Sequence, residues 1–256
     1  MMKDNKISYY EQPELWGNKP RGAELERVNA IISKIPAGTK TILEVGCGDG
    51  VLINRLQKKG FNCTGIDVSK EALSHVVCKK HLMSSDRLNF NDKSFDMILC
   101  SEVLEHLPVN TYEKTLKELE RVSREYILIT TPYKEFLRAS FTKCNYCATT
   151  YHIYKHIRWF DEIKFRNLFN RFKLKELFYM SVCKKLNYID ILLRYRLGNF
   201  YINSNHGICP ACFFKNNHKR RYNLFSMAAA LLFRIIPHKK QAHWIGGLFV
   251  KTGHLF

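Results

Sequence analysis

The sequence has no apolar run approaching the roughly 20 residues that span a bilayer. Its longest runs only from Met227 to Phe233, so no transmembrane helix is expected. The opening Met1-Met2-Lys3-Asp4-Asn5-Lys6 lacks the apolar stretch of a secretion signal, and a cytoplasmic location is expected. There is no internal repeat and no low-complexity segment, so nothing marks a repeat architecture. Acid is scarce toward the C-terminus, where Asp190 is the only carboxylate after Glu176. The whole chain carries 41 Lys+Arg against 23 Asp+Glu, a net charge of +18. Such a surface favours phosphates on nucleic acid, anionic lipid or an activated substrate, or simply serves as a solvated face.

What is present is enough for one sizeable core, since 46% of the 256 residues are hydrophobic. From residue 41 to about 130, short β-rich runs alternate with helical stretches, the pattern of a parallel sheet with crossover helices. Val28, Ile31, Ile32 and Ile35 fall at helical spacing before Pro36-Ala37-Gly38. Strands are expected at Thr41–Val45, Asn62–Ile66, His81–Met83, Asp96–Cys100 and Tyr126–Thr130, the last stopped by Pro132. Between them, helices are expected over Val51–Lys59, from a Ser69 cap toward Lys79, and over Tyr112–Val122. Further on come a helix near Asp161–Phe169, a strand near Phe172–Met180, an apolar helix over Leu224–Ile236 and a final strand at Trp244–Val250.

Leu43-Glu44-Val45-Gly46-Cys47-Gly48-Asp49-Gly50 places glycines between a strand and a helix. Such a loop lets backbone N–H groups approach a nucleotide-like ligand closely. Its G-x-G-x-G spacing, with Glu44 two positions before the first glycine, departs from the dinucleotide-binding G-x-G-x-x-G.

This loop resembles that of the class I S-adenosylmethionine methyltransferases, and the likeness continues along the chain. Gly65-Ile66-Asp67-Val68-Ser69 supplies the acid that binds the cofactor ribose in that family. Leu88 to Asp96 and Cys100-Ser101-Glu102-Val103-Leu104-Glu105-His106-Leu107 match its later segments. The resemblance implies an α/β, Rossmann-like doubly wound sheet of about seven strands, the last antiparallel, with a cysteine-containing cap inserted near the C-terminus. It divides the chain into an arm and helix (1–40), a cofactor-binding core (41–180), a basic insertion (181–240) and the final strand (241–256). The cofactor-binding residues it implies are Glu44, Gly46, Cys47, Gly48, Gly50, Asp67, Val68, Ser101 and Glu102. Where the family often has an adenine-binding Asp this chain has Ser84, which leaves Ser84, Ser85 and Asp86 as candidates. Tyr9, Tyr10 and Trp16 are expected either to cover the cofactor or to pack the arm onto the domain.

Glu102-x-x-Glu105-His106 resembles a string in small-RNA 2′-O-methyltransferases and ubiquinone-pathway O-methyltransferases, where it can hold a divalent cation. His152 or His156 could complete such a set, but the same string occurs in family members that use no metal, so His106, His152 and His156 are read first as acid–base or substrate contacts.

Cys144-x-x-Cys147 and Cys209-x-x-Cys212 are two knuckles of the kind that close a tetrahedral structural zinc site. Cys144 and Cys147 with His152 and His156 form a tighter alternative, and reduced cysteines packed as small apolar residues a third. The resemblance implies methyl transfer to an oxygen or nitrogen of a small-molecule or glycan-type acceptor. RNA methylation is the alternative drawn from the basic region and its aromatics Phe213, Phe214, Tyr222 and Phe225. Apolar residues lie around most of the Leu224–Ile236 helix, which favours burial. Lys219-Arg220-Arg221 and Lys239-Lys240 at its flanks make attachment to the inner face of a membrane, and a lipid-linked substrate, the alternative.

Overall fold

The structure is a computed structural model that describes residues 9–17, 20–186, 188–193, 208–215, 224–235 and 237–253. The expected Lys219-Arg220-Arg221 stretch, Tyr222 and Ile236 lie outside the described residues.

Helix α1 (Ala23–Ser33) buries Val28 and Ile31 and leads into β1 (Thr41–Val45). Then follow α2 (Ile53–Lys58), β2 (Asn62–Asp67), α3 (Lys70–Ser74), β3 (Lys79–Leu82) and β4 (Phe95–Ser101). Next come α4 (Val109–Val122), β5 (Ser123–Pro132) and the short pair β6 (Phe141–Lys143) and β7 (Thr150–His152). The chain continues through α5 (Glu162–Arg166), β8 (Phe172–Lys184), α6 (Tyr188–Ile191), α7 (Leu224–Ile235) and β9 (Lys240–Lys251).

The main sheet has seven strands in the order β3-β2-β1-β4-β5-β9-β8. β1 to β5 are mutually parallel, and β9 runs antiparallel between β5 and β8. The order reverses at β1, where strands lie on both sides of the chain's first strand, so the carboxyl ends of β1 and β4 open a crevice between them. Apolar residues of the strands alternate into two cores, one built around Leu43, Ile98 and Phe249 and the other around Ile42, Leu99 and Leu128.

Ser69 caps α3 as expected, its Oγ accepting from Ala72 N at 3.0 Å. That helix stops at Ser74 rather than running toward Lys79, since residues 79 to 82 are taken up as β3 beside β2. The apolar helix α7 departs from expectation more sharply. Ala229 is buried, but Leu224, Phe225, Met227, Leu231 and Ile235 are exposed. Among the described residues no helix is long and apolar enough to cross a membrane.

Candidate functional site

A cavity of about 360 Å³ opens at the carboxyl ends of β1, β2 and β4. Ten of the twelve residues expected at a cofactor line it: Glu44, Gly46, Cys47, Gly48, Asp67, Val68, Ser84, Ser85, Ser101 and Glu102. Gly50 and Asp86 do not. Gly50 turns the chain into α2 at φ +81°, where an added Cβ would meet the Asn54 amide at 2.6 Å. Asp86 faces Ser84, whose hydroxyl donates to it.

The loop's shape follows from its glycines. Gly46 has φ +71°, and a Cβ there would sit 2.4 Å from Val103 Cγ2. Gly48 has φ +52° and lies under the Trp16 ring. Its N–H donates to Asp67 Oδ2 at 2.9 Å, while Ser69 N–H donates to Oδ1 at 3.0 Å. Burial raises the Asp67 pKa, and these backbone donors partly offset it.

Tyr10 and Trp16 line the cavity, and Tyr9 is buried beside them. The Trp16 indole donates to Tyr10 O at 2.7 Å, Ser69 Oγ donates to the same carbonyl at 2.8 Å, and Gly17 N–H donates to Asp49 Oδ2 at 2.9 Å. Lys155 Nζ sits 3.8 Å from the Tyr9 ring centre and 4.5 Å from that of Tyr10. The arm therefore both packs onto the domain and forms a wall of the cavity.

The wall is rich in acid on a strongly basic chain. Glu24, Glu44, Asp49, Asp67 and Glu102 line it, and Arg27 is its one Lys or Arg among the described residues. Glu44 is 4% exposed and has an oxygen without a hydrogen-bond partner. Burial pushes its pKa up to about 8, with nearby Arg27 acting against the rise. Arg27 donates to Ser101 Oγ at 2.5 Å and lies 5.5 Å from the Trp244 ring centre.

Glu102 follows the last residue of β4 in an unusual conformation for a residue with a side chain, φ 58°. Its N–H donates to Thr130 O at 3.0 Å. Its carboxylate accepts from the Trp244 indole at 2.7 Å and from Thr130 Oγ1 at 3.3 Å.

Of the residues considered for a divalent cation, Glu105, His106 and His156 come together and Glu102 stays apart. Glu102 is held by Trp244 and Thr130, and the ligand atoms that group within 4.8 Å are those of Glu105, His106 and His156. Glu105 is fully buried with neither oxygen partnered, and burial together with Glu102 raises its pKa well above the usual carboxylate range. His106 reaches the cavity wall, and burial drives its pKa down to about 3, so the ring there is neutral.

His152 and His156 are not on the cavity wall. They share Glu135, with His156 Nδ1 at 2.6 Å and His152 Nε2 at 3.3 Å from its two oxygens. The two imidazoles hold the Glu135 pKa down at about 2 against the effect of burial. The His156 ring in turn meets the His106 ring edge to face at 4.8 Å.

The four knuckle cysteines come together on the cap. Cys144 Sγ lies 3.6 Å from Cys212 Sγ, Cys147 Sγ lies 3.6 Å from Cys209 Sγ, and all four sulfurs fall within 4.8 Å of one another. A tetrahedral ion with bonds of about 2.3 Å sets sulfurs about 3.8 Å apart, so the four thiols fit zinc. The alternative with His152 and His156 is not formed, since both rings are engaged by Glu135.

Sequence reading missed Arg27, Asp49, Glu135 and Trp244. Asp49 lay inside the glycine loop and was within reach of that reading. The others sit in segments with no motif of their own.

A family profile described as a methyltransferase domain matches residues 19–176. A ubiquinone biosynthesis O-methyltransferase of Rickettsia bellii is 33% identical over 40% of this chain and 48% of its own length. One from Hydrogenovibrio crunogenus is 38% identical over 27% of this chain and 33% of its own. The chain thus spans between a third and a half of these relatives. A methyltransferase solved in complex with the Haloferax volcanii Trm112 activator shares the fold with TM-score 0.58, 13% identity and full coverage of both chains.

Proposed function

This chain belongs to the methyltransferase-domain family, and we propose that it moves a methyl group from S-adenosylmethionine to an oxygen or nitrogen of a small-molecule or glycan-type acceptor. The observation that carries this reading is the acid-lined cavity behind the glycine loop. A ligand with an ammonium and a sulfonium draws these buried carboxyls to their charged forms, whereas a nucleotide's phosphates would meet Arg27 as the one Lys or Arg among the described residues of the wall. Glu44, buried with an unpartnered oxygen, suits the ammonium, and Arg27 suits the carboxylate of the same amino-acid end. Asp67, with Val68 beside it, is the acceptor for ribose hydroxyls, and Ser84 and Ser85 line the adenine side.

Bound there, S-adenosylmethionine would supply an electrophilic methyl on a positive sulfur, which needs chiefly an acceptor lone pair in line with it. The protein's part is to exclude water and orient that acceptor. Tyr10 and Trp16, on the cavity lining, are the aromatic rings that would shield the bound cofactor from water. His106, a neutral ring on the wall with Nδ1 unpartnered, is placed to accept a hydrogen bond from an acceptor hydroxyl. His156 and His152, fixed by Glu135, act behind it as positioning residues.

The cap is proposed to hold one structural zinc ion on Cys144, Cys147, Cys209 and Cys212. The sulfur separations support it. Zinc would tie the loop after β5 to the insertion before β9 and so shape the acceptor side.

Calorimetry with S-adenosylhomocysteine tests the cofactor reading. Micromolar binding that Asp67→Ala weakens by roughly tenfold or more is expected. Equal affinity for NAD, or no binding of either, overturns it.

A further inference from the structure

The exposed face of α7 has a chemistry of its own. Leu224, Met227, Leu231 and Ile235 are spaced by three, four and four residues, which puts them along one side of the helix, with Phe225 alongside. Leu224 is 83% exposed and Ile235 67%. The opposite side is used for packing, where Ala229 is buried and Lys184 Nζ lies 5.2 Å from the Phe233 ring centre. The neighbouring α6 adds Tyr188 and Ile189, both exposed.

The sequence that carries this stripe has charge of almost one sign. After Glu176 the sequence carries twelve lysines and arginines against Asp190 alone. Asp190 offers no negative charge to the surface, because it is 3% exposed and 2.7 Å from His238 Nε2. Arg234 lies within α7, Lys239 and Lys240 follow it, and Lys219, Arg220 and Arg221 precede it in sequence.

We propose that α7 is a lipid-docking helix, which lays Leu224, Phe225, Met227, Leu231 and Ile235 into the interface of an anionic membrane while the flanking cations meet its headgroups. At 12 residues the helix is about 18 Å long, far short of a core about 30 Å thick, so it lies along the surface rather than across it. Charge decides between occupants. A second copy of the chain laid symmetrically on this face would bring cation against cation, whereas anionic headgroups neutralise it.

The test is co-sedimentation of the intact protein with vesicles of phosphatidylcholine alone and of phosphatidylcholine with phosphatidylglycerol. Binding is expected to the anionic vesicles, weakened by added salt. Leu231→Glu, at an exposed position, should lower that partition roughly tenfold while leaving S-adenosylhomocysteine affinity and the melting temperature unchanged. Lys239→Ala with Lys240→Ala should lower it severalfold and flatten its salt dependence. Absence of binding to anionic vesicles overturns the proposal, as does equal binding to both vesicle types. So does a homodimer or a stable protein complex that Leu231→Glu dissociates, since a protein would then be the occupant.

Discussion

The indole N–H of Trp244 on β9 donates to the carboxylate of Glu102 at the end of β4, across 142 positions of sequence. Glu102 holds a left-handed backbone conformation on the cavity wall, so this hydrogen bond sets the direction of a strained residue's carboxyl and favours its charged form. Burial raises the Glu102 pKa, and the indole is one of the groups that lower it. Trp244→Phe removes the donor and keeps most of the packing. Methyl-transfer kcat/KM should fall about tenfold, and in a Glu102→Gln background the same change should cost much less. Steady-state kinetics on the four proteins of this cycle measure the coupling, and additive losses would show that the bond has no catalytic weight.

Glu44 makes cofactor binding depend on pH. Its pKa in the ligand-free fold is about 8, so near pH 7 it holds a proton that a bound ammonium displaces. Titration of S-adenosylhomocysteine in buffers of different ionisation enthalpy should show net proton release at pH 7, and Glu44→Gln should abolish it. The same group sets a stability trend in the ligand-free protein. Its folded pKa lies above the ordinary 4.5, so the folded state holds the extra proton between these values. Stability from this group is therefore full below about pH 4.5 and declines as pH rises to about 8. Denaturant melts across that range should lose this slope in Glu44→Gln.

Gly46→Ala tests the loop. At φ +71° any side chain is strained, and the new Cβ would sit 2.4 Å from Val103 Cγ2. A destabilisation of about 1 to 3 kcal/mol is expected, with a clear loss of cofactor affinity. Val103→Ala should restore part of both by removing the clash but not the strain. Thermal melts with and without S-adenosylhomocysteine separate the two effects.

Zinc on the cap should be stoichiometric. Purified protein should carry one ion per chain, Cys209→Ser should carry little, and Cys78→Ser, outside the cluster, should keep it. Metal analysis gives the count, and the melting temperature should drop only in the Cys209 variant.

Much of this was legible in the sequence for identifiable reasons. Strands such as Tyr126–Thr130 combine β-branched residues with buried neighbours on both faces, so their pattern needs no tertiary information. The glycine loop and the two knuckles were legible because their chemistry demands fixed spacings within a few residues. Arg27, Glu135 and Trp244 were not. Each reaches the site only because the sheet order places α1, the loop after β5 and β9 around the ends of β1 and β4. No local pattern encodes that meeting. Helix α7 misled in the opposite way. Its apolar content argued for burial, but a residue type reports what would tolerate burial, and whether anything covers it depends on the rest of the chain.

The hairpin of β8 and β9 carries a consequence for how this chain can be rebuilt. Its pairing runs to Lys184 opposite Lys240, and Lys185 N–H donates to Lys239 O at 2.8 Å. The segment bearing α6, the second knuckle and α7 therefore leaves the sheet and rejoins it at adjacent points. A tight turn is enough to close that gap, which makes the excursion a graftable cassette so long as its Cys209 and Cys212 still meet Cys144 and Cys147. Exchanging it between related chains should transplant surface preference while the cofactor chamber stays where it is.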